Sequence, residues 1–302
     1  MPEPRGLCGK PFAGDILDMN KQNYLALGGF LAASFAMPYA HAQFGNEPAK
    51  LSLVKVQDDV YVIHNDYVPG NVTALITNEG VILVDDKFEI DHDSIMKMLK
   101  TVTNQPVKYV INTHFHGDHS GGNAKLQVEG TLAVASVNAR ARMVETKMTG
   151  LPNITVQPRG SIWLGGKSAE IYWFGRAHTD GDIVVLFPQN RVLAAGDMYT
   201  NGEGTPELID YSGGGSAKEW TATVEQATKL DFDTVVPGHG NVAKKADLLA
   251  YRDSTKRLTD LITQMVKQGK SKADVEKTMR MEFGWQDFHV QMALDGLINE
   301  MK

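Results

Sequence analysis

The chain has 302 residues, 42% of them hydrophobic, and its 30 basic and 36 acidic side chains give a net charge of −6. This composition is typical of a globular protein and excludes a collagen-like, coiled-coil or disordered chain. The acidic balance argues against nucleic-acid binding, because phosphates require a basic face, and we therefore expect a small-molecule partner. With Cys8 as the single cysteine, any metal must be held by histidine and carboxylate side chains.

The N-terminus has the three parts of a secretory signal in residues 19–42. Lys21 lies near its start, an apolar run covers residues 24–38, and the small residues Ala40 and Ala42 precede a cleavage point. A membrane span needs roughly 20 apolar residues, so an uncleaved anchor is the less favoured alternative.

Residues 1–18 fit no signal sequence, and we expect them to be a non-native or mis-annotated extension before a start at Met19. The prediction is a periplasmic or secreted protein that is free of the membrane after cleavage. Its mature domain would occupy residues 43–302.

Short apolar runs separated by glycine and asparagine turns predict the first strands, at residues 54–56, 60–63, 72–77 and 81–84. Asp91 can cap a helix that continues to about residue 103, and a buried strand follows over residues 107–111.

The pattern then repeats, with a helix at 137–148, strands at 168–174, 183–187 and 191–195, a helix at 217–230 and a strand at 234–236. Two rounds of strands followed by a helix predict two similar halves, each a sheet covered by helices on one face. Residues 245–302 have apolar side chains at helical spacing, which predicts helices packed on the core.

The most informative segment is THFHGDHSGGN, residues 113–123, directly after the strand predicted at 107–111. Histidines two positions apart on an extended segment point the same way, so His114 and His116 can bind one ion. Asp118 and His119 lie on the following turn and can face another.

Three further residues follow the ends of predicted strands: His178, Asp197 and His239. Each alone would more often be a hydrogen-bonded turn residue than a ligand. Together with residues 114–119 they predict a metal centre where the strand ends meet.

With these motifs in this order, the sequence resembles the metallo-β-lactamase superfamily. The resemblance implies an α/β fold of the αββα type, in which two mixed β-sheets lie face to face, helices cover the outer faces, and metal binds at one edge. It implies that one ion is bound by His114, His116 and His178, and a second by Asp118, His119 and His239. It also implies that Asp197 bridges the ions and that Asp85 supports the ligand loop through hydrogen bonds.

These ligands predict a dinuclear zinc hydrolase, although iron or manganese is possible. Zinc bound by three histidines keeps an open position and lowers the pKa of bound water to about 7. A hydroxide bridging the two ions would attack an amide, lactam, ester, lactone or thioester carbonyl, with Asp118 as the proton relay.

The sequence departs from the best-known zinc β-lactamases at Asp197 and Thr200, where they place a cysteine and a substrate-binding lysine. A bridging aspartate is instead the pattern of glyoxalase II, lactonases and phosphodiesterases. An iron-dependent sulfur dioxygenase or another redox enzyme on the same fold is the alternative, and a non-catalytic metal-binding module is a third. The substrate, the physiological metal and the oligomeric state stay open.

The loop at residues 199–216 is predicted to border the cleft, either as a substrate contact or as a simple connector. We expect the aromatic residues Phe115, Trp163, Trp173 and Trp285 to be core side chains rather than pocket walls. The histidines outside the motifs are expected to be ordinary polar or packing residues, namely His64, His92 and His289.

Overall fold

A computed structural model of the chain describes residues 47–202 and 204–302. The predicted extension, the predicted signal and its cleavage point, within residues 1–43, lie outside the described residues, as does Cys8. Among the residues described, none of the helices combines the length and the apolar character that a bilayer crossing requires.

Two mixed β-sheets form the centre of the fold. Within the described residues, the first has seven strands in chain order, and the second has six in the order β13-β12-β11-β10-β9-β8. The strands of the first sheet are β1 Ser52–Gln57, β2 Val60–His64, β3 Val72–Ile76, β4 Val81–Val84, β5 Val107–Ile111, β6 Leu132–Ser136 and β7 Ile154–Val156. Those of the second are β8 Arg159–Leu164, β9 Lys167–Tyr172, β10 Val184–Phe187, β11 Val192–Gly196, β12 Thr234–Pro237 and β13 Ala243–Lys244.

Eight α-helices accompany these strands in the described residues. They are α1 His92–Leu99, α2 Gly117–Ser120, α3 Asn123–Val128, α4 Val137–Glu145, α5 Ala217–Thr228, α6 Lys245–Lys267, α7 Lys272–Phe283 and α8 Asp287–Glu300. The helix predicted over 91–103 is shorter and ends at Leu99, and residues 100–102 continue as turns in which the Thr101 hydroxyl donates to the Met98 carbonyl.

Three layers of buried apolar side chains define the architecture. Leu75 of the first sheet and Phe187 of the second belong to the core between the sheets. Ile95 of α1 packs in the layer outside the first sheet. Trp220 of α5 and Leu258 of α6 pack in the layer outside the second. The order helix, sheet, sheet, helix confirms the predicted αββα sandwich.

Several fully buried strands are predicted from the sequence, but β6 is not, although four of its five residues are buried in the interior of the first sheet. β4 and β10 are buried along their whole length, and both consist of valine, isoleucine, leucine and phenylalanine. β8, which was not predicted, lies at the edge of the second sheet and alternates exposed with half-buried residues. Its Trp163 is 69% exposed, so the expected core position is wrong, whereas Trp285 is buried as expected.

The ends of four strands lie at one edge of the sandwich. In the first sheet β4 and β5 are parallel, and in the second β11 and β12 are parallel. Loops that leave the carboxyl ends of parallel strands meet at a common edge, which is where open α/β sheets place their sites. The fold therefore directs the segments after residues 84, 111, 196 and 237 towards one another.

Replacing Phe187 by alanine is expected to destabilise the protein by about 3–5 kcal/mol, because the ring is fully buried between the sheets and its loss leaves a cavity. Phe288→Ala is the matched control: that ring is 41% exposed, and its loss should change the free energy of unfolding by under ~1 kcal/mol. Urea unfolding of both variants measures the difference. Equal losses would contradict the assigned inter-sheet core.

Candidate metal centre

All seven side chains predicted as ligands lie together at this edge. Their ligand atoms form three overlapping groups, each with members within 4.8 Å of one another. The groups are His114, His116 and His178; His114, His119 and Asp197; and Asp118, His119 and His239. The structure thus brings together every predicted ligand.

The first histidine group has the spacing of a tetrahedral zinc site. His116 Nδ1 lies 3.1 Å from His114 Nε2 and 2.9 Å from His178 Nε2. Ligand atoms bound about 2.0–2.1 Å from a tetrahedral zinc ion lie roughly 3.3 Å apart. The three nitrogens fit three corners of such a tetrahedron.

The second group has similar spacing. The Nε2 atoms of His119 and His239 are 3.2 Å apart. Asp118 Oδ2 lies 3.6 Å from His119 Nε2 and 3.4 Å from His239 Nε2. These atoms also suit one ion.

Asp197 lies between the two groups. Its Oδ2 is 3.6 Å from His178 Nε2 and 3.3 Å from His239 Nε2, and its Oδ1 is 3.3 Å from His119 Nε2. Oδ1 is buried and accepts no hydrogen bond. Because a buried carboxylate oxygen without a partner is costly, this orphaned atom fits a position facing a cation.

Backbone carbonyls fix the tautomers of two histidines. His178 Nδ1 donates to the Leu208 carbonyl at 2.7 Å, and His239 Nδ1 donates to the Tyr67 carbonyl at 2.9 Å. A carbonyl can only accept, so these Nδ1 atoms carry the hydrogen and, in the neutral ring, Nε2 presents its lone pair to the centre.

Asp85 holds two more ligands, as the sequence resemblance implied. Its carboxylate accepts from His119 Nδ1 at 2.9 Å, from the Thr113 hydroxyl at 2.8 Å and from the Thr113 backbone amide at 2.7 Å. His114 Nδ1 lies 3.1 Å from the Thr113 oxygen, whose own hydrogen is directed to Asp85. The lone pairs of His114 and His119 are thereby also directed into the centre.

Asp210 holds the fifth histidine, and sequence analysis missed it. Its Oδ2 lies 2.9 Å from His116 Nε2, while its Oδ1 accepts from Ser212 Oγ and the Gly213 amide. Burial raises the pKa of Asp210. The hydrogen bond from His116 and the positive charge of the His116 ring outweigh burial and hold the pKa of Asp210 well below its ordinary range. An aspartate shortly before a serine and glycines is a common turn pattern, so the sequence carried no signal for this role.

When no ion is bound, the pKa values of the five histidines diverge. At His116 burial is outweighed by the hydrogen bond to Asp210 and by the Asp210 charge, which raise the pKa. Burial lowers the pKa of His178 to about 4 and that of His114 well below its ordinary value, so both rings are neutral. At His119, burial is outweighed by the carboxylates of Asp197, Asp118 and Asp85, which raise the pKa to about 9. The pKa of His239 is raised in the same way, chiefly by Asp197.

Solvent reaches the centre on one side. The side chains of His116 and Asp118 are 25% and 19% exposed, whereas those of His114 and His119 are buried. Phe115 is a core side chain as expected, packed with Ala139 and Met143, and its ring also lies 4.5 Å from the His116 ring. Three other histidines in the described part of the chain lie outside the centre. His64 contacts Asn71, His92 contacts Glu129, and His289 accepts from the Gln286 amide.

Sequence comparison finds one family model and several curated proteins that resemble this chain, all of them metallo-beta-lactamases. The family model of the metallo-beta-lactamase superfamily matches residues 65–239, which include all seven candidate ligands. The chain is 27% identical over 224 residues to metallo-beta-lactamase type 2 of Bacillus sp. (strain 170), covering 70% of this chain and 84% of that protein. It is also 27% identical over 224 residues to metallo-beta-lactamase IND-1 of Chryseobacterium indologenes, with 70% and 89% covered.

Solved structures show the same fold. A metallo-beta-lactamase from Pontibacter korlensis superposes with a TM-score of 0.62 at 23% identity, covering 68% of this chain and 99% of that one. The mono-zinc form of metallo-beta-lactamase FIM-1 from Pseudomonas aeruginosa gives 0.61 at 16% identity, with 70% and 97% covered. Helices α6, α7 and α8 lie beyond the segment that the family model matches.

Asp210→Asn is expected to weaken metal binding at the first histidine group by about 10–100-fold, because the amide is a poorer partner for His116 Nε2 than the carboxylate. Asp233→Asn removes the same charge from an exposed ion pair with Arg191 and should leave affinity unchanged. Titration of the metal-free protein with zinc against a competing chelator measures both. Equal affinities would show that Asp210 does not support His116.

Raising the pH from 7 to 9 is expected to strengthen zinc binding more at the second group than at the first. Both histidines of the second group have a raised pKa, and protons compete with metal at His119 until the pH passes its pKa of about 9. In the first group only the pKa of His116 is raised, and His114 and His178 are neutral already at pH 7. Calorimetry measures the zinc affinity of two single-site variants at several pH values. His239→Ala keeps the first group and His116→Ala keeps the second. A steeper rise of affinity with pH at the first group would contradict the assigned charges.

Proposed function

The chain belongs to the metallo-beta-lactamase superfamily, and from that premise we propose that it is a dinuclear zinc hydrolase acting on a carbonyl of a small molecule. Family membership makes it a metal-dependent hydrolase. The number and identity of its ions, the bond that it cleaves and the role of each residue are the content of the proposal.

We assign His114, His116 and His178 to the first ion and Asp118, His119 and His239 to the second, with Asp197 shared. One observation carries the assignment: two adjacent groups of ligand atoms, each with the spacing of one ion, meet at a single carboxylate. The second nitrogen of all five histidines is engaged by an oxygen atom, which leaves five ring nitrogens facing the centre.

The donor set suits zinc. It consists of imidazole nitrogens and carboxylate oxygens without a thiolate, at spacings that match tetrahedral coordination. Two zinc ions at these positions would polarise a carbonyl and supply a hydroxide at neutral pH. An amide, lactam, ester, lactone or thioester is the class of bond that this chemistry cleaves.

The chain's own residues would orient the centre and move protons. Asp118 is partly exposed beside His119 and His239, so its carboxylate can accept a proton from water at the centre and pass it to a leaving nitrogen, oxygen or sulfur. Asp85 and Asp210 would keep His119 and His116 in position throughout.

Two features bear on the substrate. The shared ligand is Asp197, and the buried Thr200 stands where a lysine would be needed to bind a substrate carboxylate. Without an ammonium group there, recognition of a carboxylate-bearing lactam loses a strong charge-assisted contact. This favours a lactone, an ester or a thioester over a β-lactam.

We also propose that residues 19–42 direct export and are removed, so that residues 43–302 form the working enzyme in the periplasm or outside the cell. The cysteine-free segment 43–302 suits an oxidising compartment.

The decisive experiment combines metal content with substrate turnover. Purified protein should contain about two zinc ions per chain and hydrolyse at least one of a chromogenic cephalosporin, a lactone and a thioester. Chelation should abolish turnover and zinc should restore it. One iron per chain, with oxygen uptake and no hydrolysis, would overturn the proposal in favour of a redox enzyme.

Asp118→Asn is expected to lower kcat by about 10²–10⁴-fold, because the amide cannot take up a proton. Asp231→Asn, at a carboxylate that is exposed and paired with Arg191, is the control and should leave kcat unchanged. Steady-state kinetics on the preferred substrate measures both. Full activity of Asp118→Asn with both zinc ions bound would exclude Asp118 as the proton relay.

A further inference from the structure

The loop formed by residues 204–216 orients two of the three histidines of the first group. The Leu208 carbonyl accepts from His178 Nδ1 at 2.7 Å, and Asp210 Oδ2 lies 2.9 Å from His116 Nε2. The Asp210 amide also donates to the His178 carbonyl at 2.9 Å. The positions of His116 and His178 therefore depend on the conformation of this loop.

The 204–216 loop has little regular structure to hold that conformation. It contains no helix or strand, and its internal hydrogen bonds include Gly215 N to Asp210 O at 2.8 Å and Gly213 N to Asp210 Oδ1 at 2.9 Å. A segment of this length without secondary structure depends on contacts with the rest of the protein.

The end of α7 and the residues that follow it hold the start of the loop. The Thr205 amide donates to the Phe283 carbonyl at 3.1 Å, and Trp285 Nε1 donates to the Pro206 carbonyl at 3.2 Å. Both Phe283 and Trp285 are buried. The start of the loop, just before Leu208, is thus attached to the C-terminal helices.

Glu300, in the last turn of α8, holds the other end. Its carboxylate accepts from the Ser216 hydroxyl at 2.5 Å, from the Ala217 amide at 2.9 Å and from the Tyr211 hydroxyl at 2.9 Å. Ala217 is the first residue of α5, where amide groups without a partner inside the helix favour a negative charge.

Tyr211 connects this carboxylate to the residue that holds His116. It directly follows Asp210, and its ring lies against Gly296 of α8, where an added Cβ would come within 2.1 Å of the ring. Burial and the neighbouring Glu300 carboxylate raise the pKa of Tyr211, so its hydroxyl stays protonated and donates. Both the ring and the hydroxyl therefore hold Tyr211 to α8.

We propose that α7 and α8 complete the first metal site by fixing the 204–216 loop, with Glu300 as the positioning residue for His116 and His178. The inference rests on the proposed metal centre and extends it to helices outside the segment matched by the family model. We expect the larger effect at the first group, because the loop engages the second nitrogens of His116 and His178, whereas those of His119 and His239 are held by Asp85 and the Tyr67 carbonyl.

The test is zinc binding by Glu300→Gln in two single-site backgrounds. His239→Ala keeps the first group and His116→Ala keeps the second. Glu300→Gln should weaken binding by about 3–30-fold in the first background, because it acts through Tyr211 and Ser216, and by less than about twofold in the second. A purely structural role would lower the thermal stability of the metal-free protein and weaken both sites alike.

Glu276→Gln is the matched control. It removes one carboxylate from α7 that pairs only with Arg280 in its own helix, and it should change neither affinity. Tyr211→Phe is a milder second variant, which keeps the ring against Gly296 and removes one hydrogen bond to Glu300. It should weaken first-site binding in the same direction by a smaller factor, and it serves if Glu300→Gln does not fold.

Unchanged first-site affinity in a folded Glu300→Gln or Tyr211→Phe protein, or equal losses at both sites, would overturn the inference and leave the proposed hydrolase intact. Absence of zinc binding in the unmodified protein would instead overturn the proposed function. Zinc titration of the unmodified chain separates the two failures.

Discussion

The orientation of five imidazole rings is the constraint on which the rest of the structure depends. Ring nitrogens that lie about 3 Å apart repel one another when their lone pairs converge, and only a cation or a shared proton relieves the repulsion. The protein maintains this arrangement by engaging the opposite nitrogen of each ring with a carbonyl, a hydroxyl or a carboxylate. The candidate site is therefore organised by oxygen atoms that are not themselves candidate ligands.

Residues 85–87 hold much of the second group in its orientation. Asp85 and Lys87 both adopt positive φ, near +63° and +60°, a conformation that non-glycine residues rarely adopt and that clusters at functional sites. The Asp86 amide donates to the His119 carbonyl at 2.9 Å. The fully buried Lys87 ammonium donates to Asn65 Oδ1 at 2.5 Å and to the Gly70 carbonyl at 2.6 Å.

Residues 85–87 connect the ligand loop, residues 113–123, to the segment between β2 and β3. Gly70 lies directly under the His119 ring, where an added Cβ would come within 2.3 Å of it. Tyr67 of the same segment supplies the carbonyl that holds His239. The two histidines of the second group are thus positioned by the first sheet and the segments that leave it, whereas the 204–216 loop positions His116 and His178 of the first group. The third histidine of the first group, His114, shares the support of Asp85 through Thr113.

From local patterns the sequence predicted two sheets covered by helices and singled out seven candidate ligands, and the resemblance of its motifs to the metallo-β-lactamase superfamily supplied the αββα order. Apolar runs reveal the central strands, and side-chain alternation directs His114 and His116 to one side of a short segment. Only the tertiary structure decided which oxygen atom holds each ring. Asp210 lies 94 residues from His116, and residues so far apart meet through packing of the loop on α7 and α8, which no local pattern records. The same reason explains the missed edge strands, since β8 is defined by pairing with β9 and not by its own apolar pattern.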